Sequence, residues 1–178
     1  MKRLVILGCF AVAAASANAT IWGFSAPILD GAQEVPPTGS AAYGTASYNI
    51  DDSTWIISGS VTITGLSLTE VTGLHIHNAP MGVNGPIIFD VLANLGGTNQ
   101  VGNVSNWFFT GILDDTPILR QQKLSEMIAG NAYFNAHTAA NPDGEIRGQI
   151  ICTTIPEPAT IAVLGIGLAS LLLLRRRR

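Results

Sequence analysis

The chain has 178 residues, 47% of them apolar and only 12% charged, which is enough for one domain with a substantial core and short for two. Six of its nine Lys and Arg residues lie at the two ends, so residues 20–155 carry three cations against eleven acids, a net charge of −8. A domain this acidic repels phosphate backbones, and it shows no basic patch interleaved with aromatics. Nucleic acid is therefore excluded as a partner, whereas extracellular solubility or weak capture of hard cations suits the charge.

Lys2 and Arg3 precede an apolar run over residues 4–15, and Ala17-Asn18-Ala19 supplies the small-polar-small pattern that a signal peptidase accepts. Residues 1–19 are read as a cleaved signal peptide, with the cut between Ala19 and Thr20. A lipoprotein reading of Ile6-Leu7-Gly8-Cys9 would leave about five apolar residues before the cut and strand the rest of the run on the mature protein. Cys9 leaves with the signal, so Cys152 is the one thiol of the mature domain and no internal disulfide is expected. At the end of a strand it reads as a small apolar filler.

Residues 20–155 are read as one all-β domain. Short β-branched and aromatic runs recur between turn residues, with predicted strands at 28–31, 43–50, 55–64, 72–77, 87–92, 106–111, 132–137 and 145–152. Asp51-Asp52-Ser53 marks a hairpin turn. About eight short strands with Gly-rich connections predict a Greek-key-like two-sheet β-sandwich or flattened barrel. One short covering helix is expected: Thr116 can cap it, Pro117 suits its first turn, Ile118, Leu119, Met127 and Ile128 can form a stripe, and Gly130 can close it.

Four motifs stand in order along this domain: Leu29-Asp30-Gly31-Ala32-Gln33-Glu34-Val35-Pro36-Pro37, then Leu74-His75-Ile76-His77 with Gly82 and Gly85-Pro86 behind it. Tyr133-Phe134-Asn135-Ala136-His137-Thr138 follows, and then Asn141-Pro142-Asp143-Gly144-Glu145-Ile146-Arg147-Gly148-Gln149-Ile150. Together they resemble the CHRD domain, named after animal chordin and found in many exported bacterial proteins. The stretch from Ser58-Gly59-Ser60 through Gly65-Leu66 to His75-Ile76-His77 also looks like part of the copper/zinc superoxide dismutases, which are Greek-key sandwiches. Their dinuclear site takes six histidines and one aspartate, whereas this chain has three histidines, so dismutase activity is not expected.

All three histidines fall inside the motifs. On a strand, His75 and His77 point to one face while Leu74 and Ile76 point to the other, and His137 shares its face with Asn135 and Tyr133. If the two strands are neighbours, a three-His site for zinc or copper is geometrically feasible, with Asp143 or Glu145 as additional ligands or orienting groups. The competing reading is a hydrogen-bonded network, with His75 and His77 pinning the loop at 78–86 and His137 bonding a backbone carbonyl. Glu145 and Arg147 are expected to pair, or to guard a sheet edge. Asp51-Asp52 and Asp114-Asp115 read as turn and helix-start acids, with Ca2+ as the lesser alternative. No Gly-x-Ser-x-Gly elbow, no Cys beside a base and no phosphate loop appears, so no catalytic residue is assigned and the protein is read as a non-enzyme.

The chain ends with an apolar run over residues 159–174 and four arginines. The run reaches about 24 Å as a helix against a hydrocarbon core of about 30 Å, a marginal span, and the arginines would stay on the cytoplasmic side. Pro156-Glu157-Pro158 precedes it, and this tripartite arrangement resembles the PEP-CTERM sorting signal over residues 156–178. The resemblance implies processing by an exosortase near Pro156, Glu157 and Pro158, transient residence at the inner membrane, and delivery to the cell surface or an exopolysaccharide matrix. The leading expectation is a non-enzymatic surface or matrix module that presents loops to a surface protein or polysaccharide. A metal-binding protein using His75, His77 and His137, and a self-assembling adhesion protein pairing through a strand edge, are the alternatives.

Overall fold

The computed structural model describes residues 20–113 and 116–154. The signal peptide, Ala19, Asp114-Asp115, Pro156-Glu157-Pro158 and the C-terminal tail lie outside them. The described residues form ten strands and one α-helix: β1 (Ile21–Asp30), β2 (Tyr43–Asp51), β3 (Ile56–Thr64), β4 (Val71–His77), β5 (Ile87–Asp90), β6 (Leu95–Val101), β7 (Val104–Ile112), α1 (Pro117–Ile128), β8 (Tyr133–Thr138), β9 (Ile146–Gln149) and β10 (Ile151–Thr154).

All pairings are antiparallel, in the order β5-β4-β8-β9-β1-β2-β3-β7-β6, with β10 also on β1. The expected sandwich or flattened barrel takes the form of one hydrogen-bonded surface curled into a half-barrel. Strand β1 is the bend. Its first part pairs β10 and β2, and its end meets β9 at Asp30 opposite Arg147. Between Ala26 and Leu29 the register to β2 slips, placing one extra residue in the Pro27-Ile28 region. Such a bulge bends a strand, and Pro27 can sit there because it has no amide hydrogen to offer the ladder.

The curl brings distant strands face to face. Tyr48 of β2 meets Phe134 of β8 edge-on at 5.8 Å, and Phe109 of β7 lies 5.9 Å from Phe89 of β5. Around these rings Leu29, Ile50, Ile57, Ile63, Leu74 and Ile76 are fully buried. One core thus lies between the two halves of a single sheet, giving the two-layer packing a β domain needs.

The helix starts as expected, with Thr116 Oγ1 accepting from the Leu119 amide and Pro117 in the first turn. Its buried face differs: Leu124 and Met127 enter the core, Tyr48 donates to Met127 Sδ at 3.3 Å, and Ile118 is 81% exposed. At 100° per residue, nine positions separate Ile118 from Met127 by half a turn, so the two cannot share a stripe. The predicted final strand is two, β9 and β10, because β9 pairs β8 while β10 pairs β1. The hairpin turn holds as read: Asp51 Oδ1 accepts from the amides of Ser53 and Thr54.

Candidate metal centre

Strands β4 and β8 are neighbours. Their register sets Gly73 opposite His137, His75 opposite Asn135 and His77 opposite Tyr133. Leu74, Ile76, Phe134 and Ala136 take the core face, so alternation turns all three histidines, Asn135 and Tyr133 to the outer face. That face is not bare. The loops after β4, before β2 and after β8 lie over it, tied by Asn84 Nδ2 to the Val35 carbonyl at 2.7 Å and by the Gly85 amide to Tyr133 Oη at 3.1 Å.

The three imidazoles converge. Ring centroids are 4.8 Å apart for His75 and His137, 5.6 Å for His75 and His77, and 5.7 Å for His77 and His137. One nitrogen from each lies within 4.8 Å of the other two. His77 Nδ1 is 2.9 Å from the Gly85 carbonyl oxygen, and His137 Nδ1 is 2.9 Å from that of Pro142. A carbonyl only accepts, so each Nδ1 carries the proton and each Nε2 keeps its lone pair. His75 Nε2 lies 4.0 Å from Asp90 Oδ2. The opposite nitrogens, His75 Nδ1, His77 Nε2 and His137 Nε2, are buried and have no hydrogen-bond partner among the described residues.

Electrostatics keeps these lone pairs available. Burial lowers the His75 pKa and His137 lowers it further, with Asp90 opposing. Burial brings His77 down to about 4, although the Gly85 carbonyl works the other way. His137 is lowered by burial against the Pro142 carbonyl and Asp143. Three neutral imidazoles, each with one nitrogen turned outward to an oxygen and the other turned inward and unpaired, are what a transition-metal ion requires. A simple hydrogen-bonded network accounts for the outward nitrogens but leaves the inward ones orphaned, at a cost of about 1–3 kcal/mol each.

The expected acidic helpers, Asp143 and Glu145, fall outside the three-histidine group. Asp143 acts on His137 as a nearby charge. Glu145 accepts from Thr138 Oγ1 at 2.8 Å and from Asn141 Nδ2, and bonds from Ser40, Asn141 and Thr138 hold its pKa below normal although burial opposes them. Glu145 and Arg147 do not pair, and β9 is an interior strand rather than an edge. Arg147, 1% exposed, stacks its guanidinium 3.4 Å from the Tyr133 ring centre and donates to Asn84 Oδ1, the Val83 carbonyl and the Pro80 carbonyl. Tyr133 in turn stacks on His77 at 4.9 Å. Alternation alone could not find Asp90, because its place opposite His75 depends on the β4–β5 register. Asn135 and Glu34 were present in the motifs without a role. Glu34 is a buried carboxyl raised to about 7, mainly by burial, with Arg147 and a hydrogen bond from Asn135 opposing.

Residues 24–150 match the family model of the CHRD domain. The chain belongs to the CHRD family. All three histidines, Asp90, Asn135 and Glu34 fall inside the CHRD match. Residues 154–178 match the PEP-CTERM protein-sorting motif, which marks an exported protein sorted by way of the membrane and processed by an exosortase. No curated protein and no solved structure matches the chain. Among the described residues no helix is long and apolar enough to cross a membrane, and the apolar run at 159–174 lies outside them.

Proposed function

We propose that this exosortase-sorted CHRD protein is a non-enzymatic binding module that holds one zinc or copper ion on His75, His77 and His137. It would do so at the cell surface or in the extracellular matrix, after signal peptidase and exosortase have acted. Two observations carry the reading: one nitrogen from each of the three histidines lies within 4.8 Å of the other two, and each ring has a buried nitrogen without a hydrogen-bond partner among the described residues. Zinc or copper suits an all-imidazole donor set better than a hard cation does. The test is metal content by mass spectrometry of protein purified without chelator or affinity histidines, beside a His75→Ala/His77→Ala variant. About one equivalent in the parent and none in the variant supports the reading; no metal in either parent or metal-supplemented parent defeats it.

A sheet edge favours a second reading, self-assembly for adhesion. Strand β6 ends the sheet on one side, and its sequence Leu95-Gly96-Gly97-Thr98-Asn99-Gln100-Val101 is exposed along its length and carries no charge. Such an edge lacks the lysines and prolines that usually block pairing with a second copy. Concentration-dependent association that survives chelator and disappears in Thr98→Lys would support it. A monomer at every concentration would remove it.

A further inference from the structure

An ion held by three imidazoles keeps at least one coordination position for something else. Asn135 Oδ1 and Glu34 Oε1 are among the other buried polar atoms that lack partners among the described residues. Asn135, 2% exposed, lies opposite His75 and two residues before His137, so its amide stands beside the histidine cluster. Glu34, 5% exposed, accepts a hydrogen bond from the Asn135 side chain. A carboxylate can take only the amide N–H, and this leaves Asn135 Oδ1 as the acceptor turned away from Glu34. Beside the three nitrogen lone pairs, the Asn135–Glu34 pair therefore leaves two oxygen acceptors, with no donor for either. A bare cation satisfies the nitrogens only. A water molecule on that cation brings two O–H donors and satisfies both oxygens.

Building on the three-His metal reading, we propose that the remaining coordination position is open, is filled by a water molecule held by Asn135 Oδ1 and Glu34 Oε1, and is exchangeable with small anions. Glu34 would be the proton acceptor: one O–H bond of a water held there would break, the proton would pass to a Glu34 carboxylate oxygen and the electron pair would stay on the water oxygen, with no change of oxidation state. Access comes through a cleft of about 350 Å³ lined by Glu34, Pro36, Thr38, Asn141, Pro142 and Asp143. Its wall includes Pro142, whose carbonyl accepts from His137 Nδ1, so the cleft approaches the site through Glu34 and through Pro142. Gly144, with φ +147°, packs its backbone against the Glu34 carboxyl where any Cβ would lie 2.5 Å from an oxygen. Glu34 is thereby fixed in place rather than swinging into solvent.

Cobalt(II) is a colour-bearing stand-in for zinc, so the test is the visible spectrum of the full protein loaded with one equivalent of Co2+, titrated with pH and with azide. The expected result is a spectrum that changes with pH as the bound water ionises and changes again, saturably, on azide addition. In Glu34→Gln, Co2+ should bind at the same stoichiometry while the pH midpoint moves by about one unit or more and azide affinity changes several-fold. Asn135→Ser checks the second oxygen and should likewise shift the midpoint. One bound cobalt with a spectrum indifferent to pH and azide would overturn the open position and leave the metal reading standing. An open site whose midpoint is the same in the parent and both variants would overturn the roles of Glu34 and Asn135. No bound cobalt in the parent would defeat the metal reading and this inference with it.

Discussion

Gly73 stands directly across from His137 on the neighbouring strand, and a methyl group on it would lie 2.9 Å from Cε1 of His75 and 3.2 Å from Cδ2 of His137. The glycine is therefore the gap into which the two rings lean. Gly73→Ala should fold, since a strand accepts alanine and the atoms met are ring atoms of rotatable side chains. It should push His75 and His137 apart and weaken metal binding by about tenfold or more, a loss typical of disturbed ligand orientation. Competition titration against a chromophoric chelator reads this directly. Parent-like affinity would show that the rings do not use that gap when the ion binds.

Asp90 tests how His75 is oriented. Its carboxylate faces Nε2 at 4.0 Å, a distance suited to a loose or water-bridged contact, and it also accepts from the Ala93 amide at 3.0 Å. Asp90→Asn keeps the shape and removes the charge. Metal affinity should fall by about tenfold, toward the low end of outer-sphere effects because the aspartate is partly exposed. The same titration decides, and thermal melting of the metal-free variant should stay close to the parent.

The pH dependence of the metal-free protein contains two opposing contributions. Each histidine is lowered on folding, His77 from 6.5 to about 4, so the unfolded chain binds more protons as pH falls below 6.5. Their contribution is present above pH 6.5 and is lost as pH falls toward 4. Glu34 is raised from 4.5 to about 7, so its contribution is present below 4.5 and lost as pH rises through 7. Between about pH 4.5 and 6.5 the two slopes oppose one another. Glu34→Gln removes the second, and denaturant unfolding at a series of pH values should show stability rising with pH more steeply than in the parent, by up to about one proton in the linkage slope. An unchanged slope would mean that Glu34 titrates normally in the folded protein.

Much of this architecture was legible because strand alternation is a strong signal. His75-Ile76-His77 and Asn135-Ala136-His137 announced one polar and one apolar face each, and whether the two faces meet was the single missing fact, supplied by the β4–β8 register. Strand β6 was missed because Gly96, Gly97 and Asn99 read as loop, and its extended form is imposed by pairing with β7. The first half of β1 was hidden by Gly23 and Pro27, residues that weaken a strand signal and here mark its distortion. Glu34 stood in its motif without a role, and Arg147 was expected to pair with Glu145 or to guard a sheet edge. Their burial comes from three loops folding over the outer face of the sheet, an event with no periodic trace in the sequence.

Arg147 holds those loops together. Its guanidinium lies flat on Tyr133, which stacks on His77, while its N–H groups reach the Pro80 and Val83 carbonyls and Asn84 Oδ1 in the loop that presents Gly85 to His77. Arg147→Ala would remove three charge-assisted hydrogen bonds and the cation beside the Glu34 carboxyl, and at about 1.5–3 kcal/mol for each such bond a destabilisation of about 3 kcal/mol or more is expected. Arg147→Lys keeps the charge but places one compact ammonium where a planar fork spanned three acceptors and an aromatic face, and it should lie between the parent and the alanine variant. Metal affinity should fall alongside stability in both, because loosening the loop frees Nδ1 of His77 from Gly85. Denaturant unfolding in the presence of chelator separates the two effects: a loss under about 1 kcal/mol for Arg147→Ala would show that the loop is held by other contacts, and a metal affinity unchanged in Arg147→Lys would show that His77 keeps its orientation without the stack.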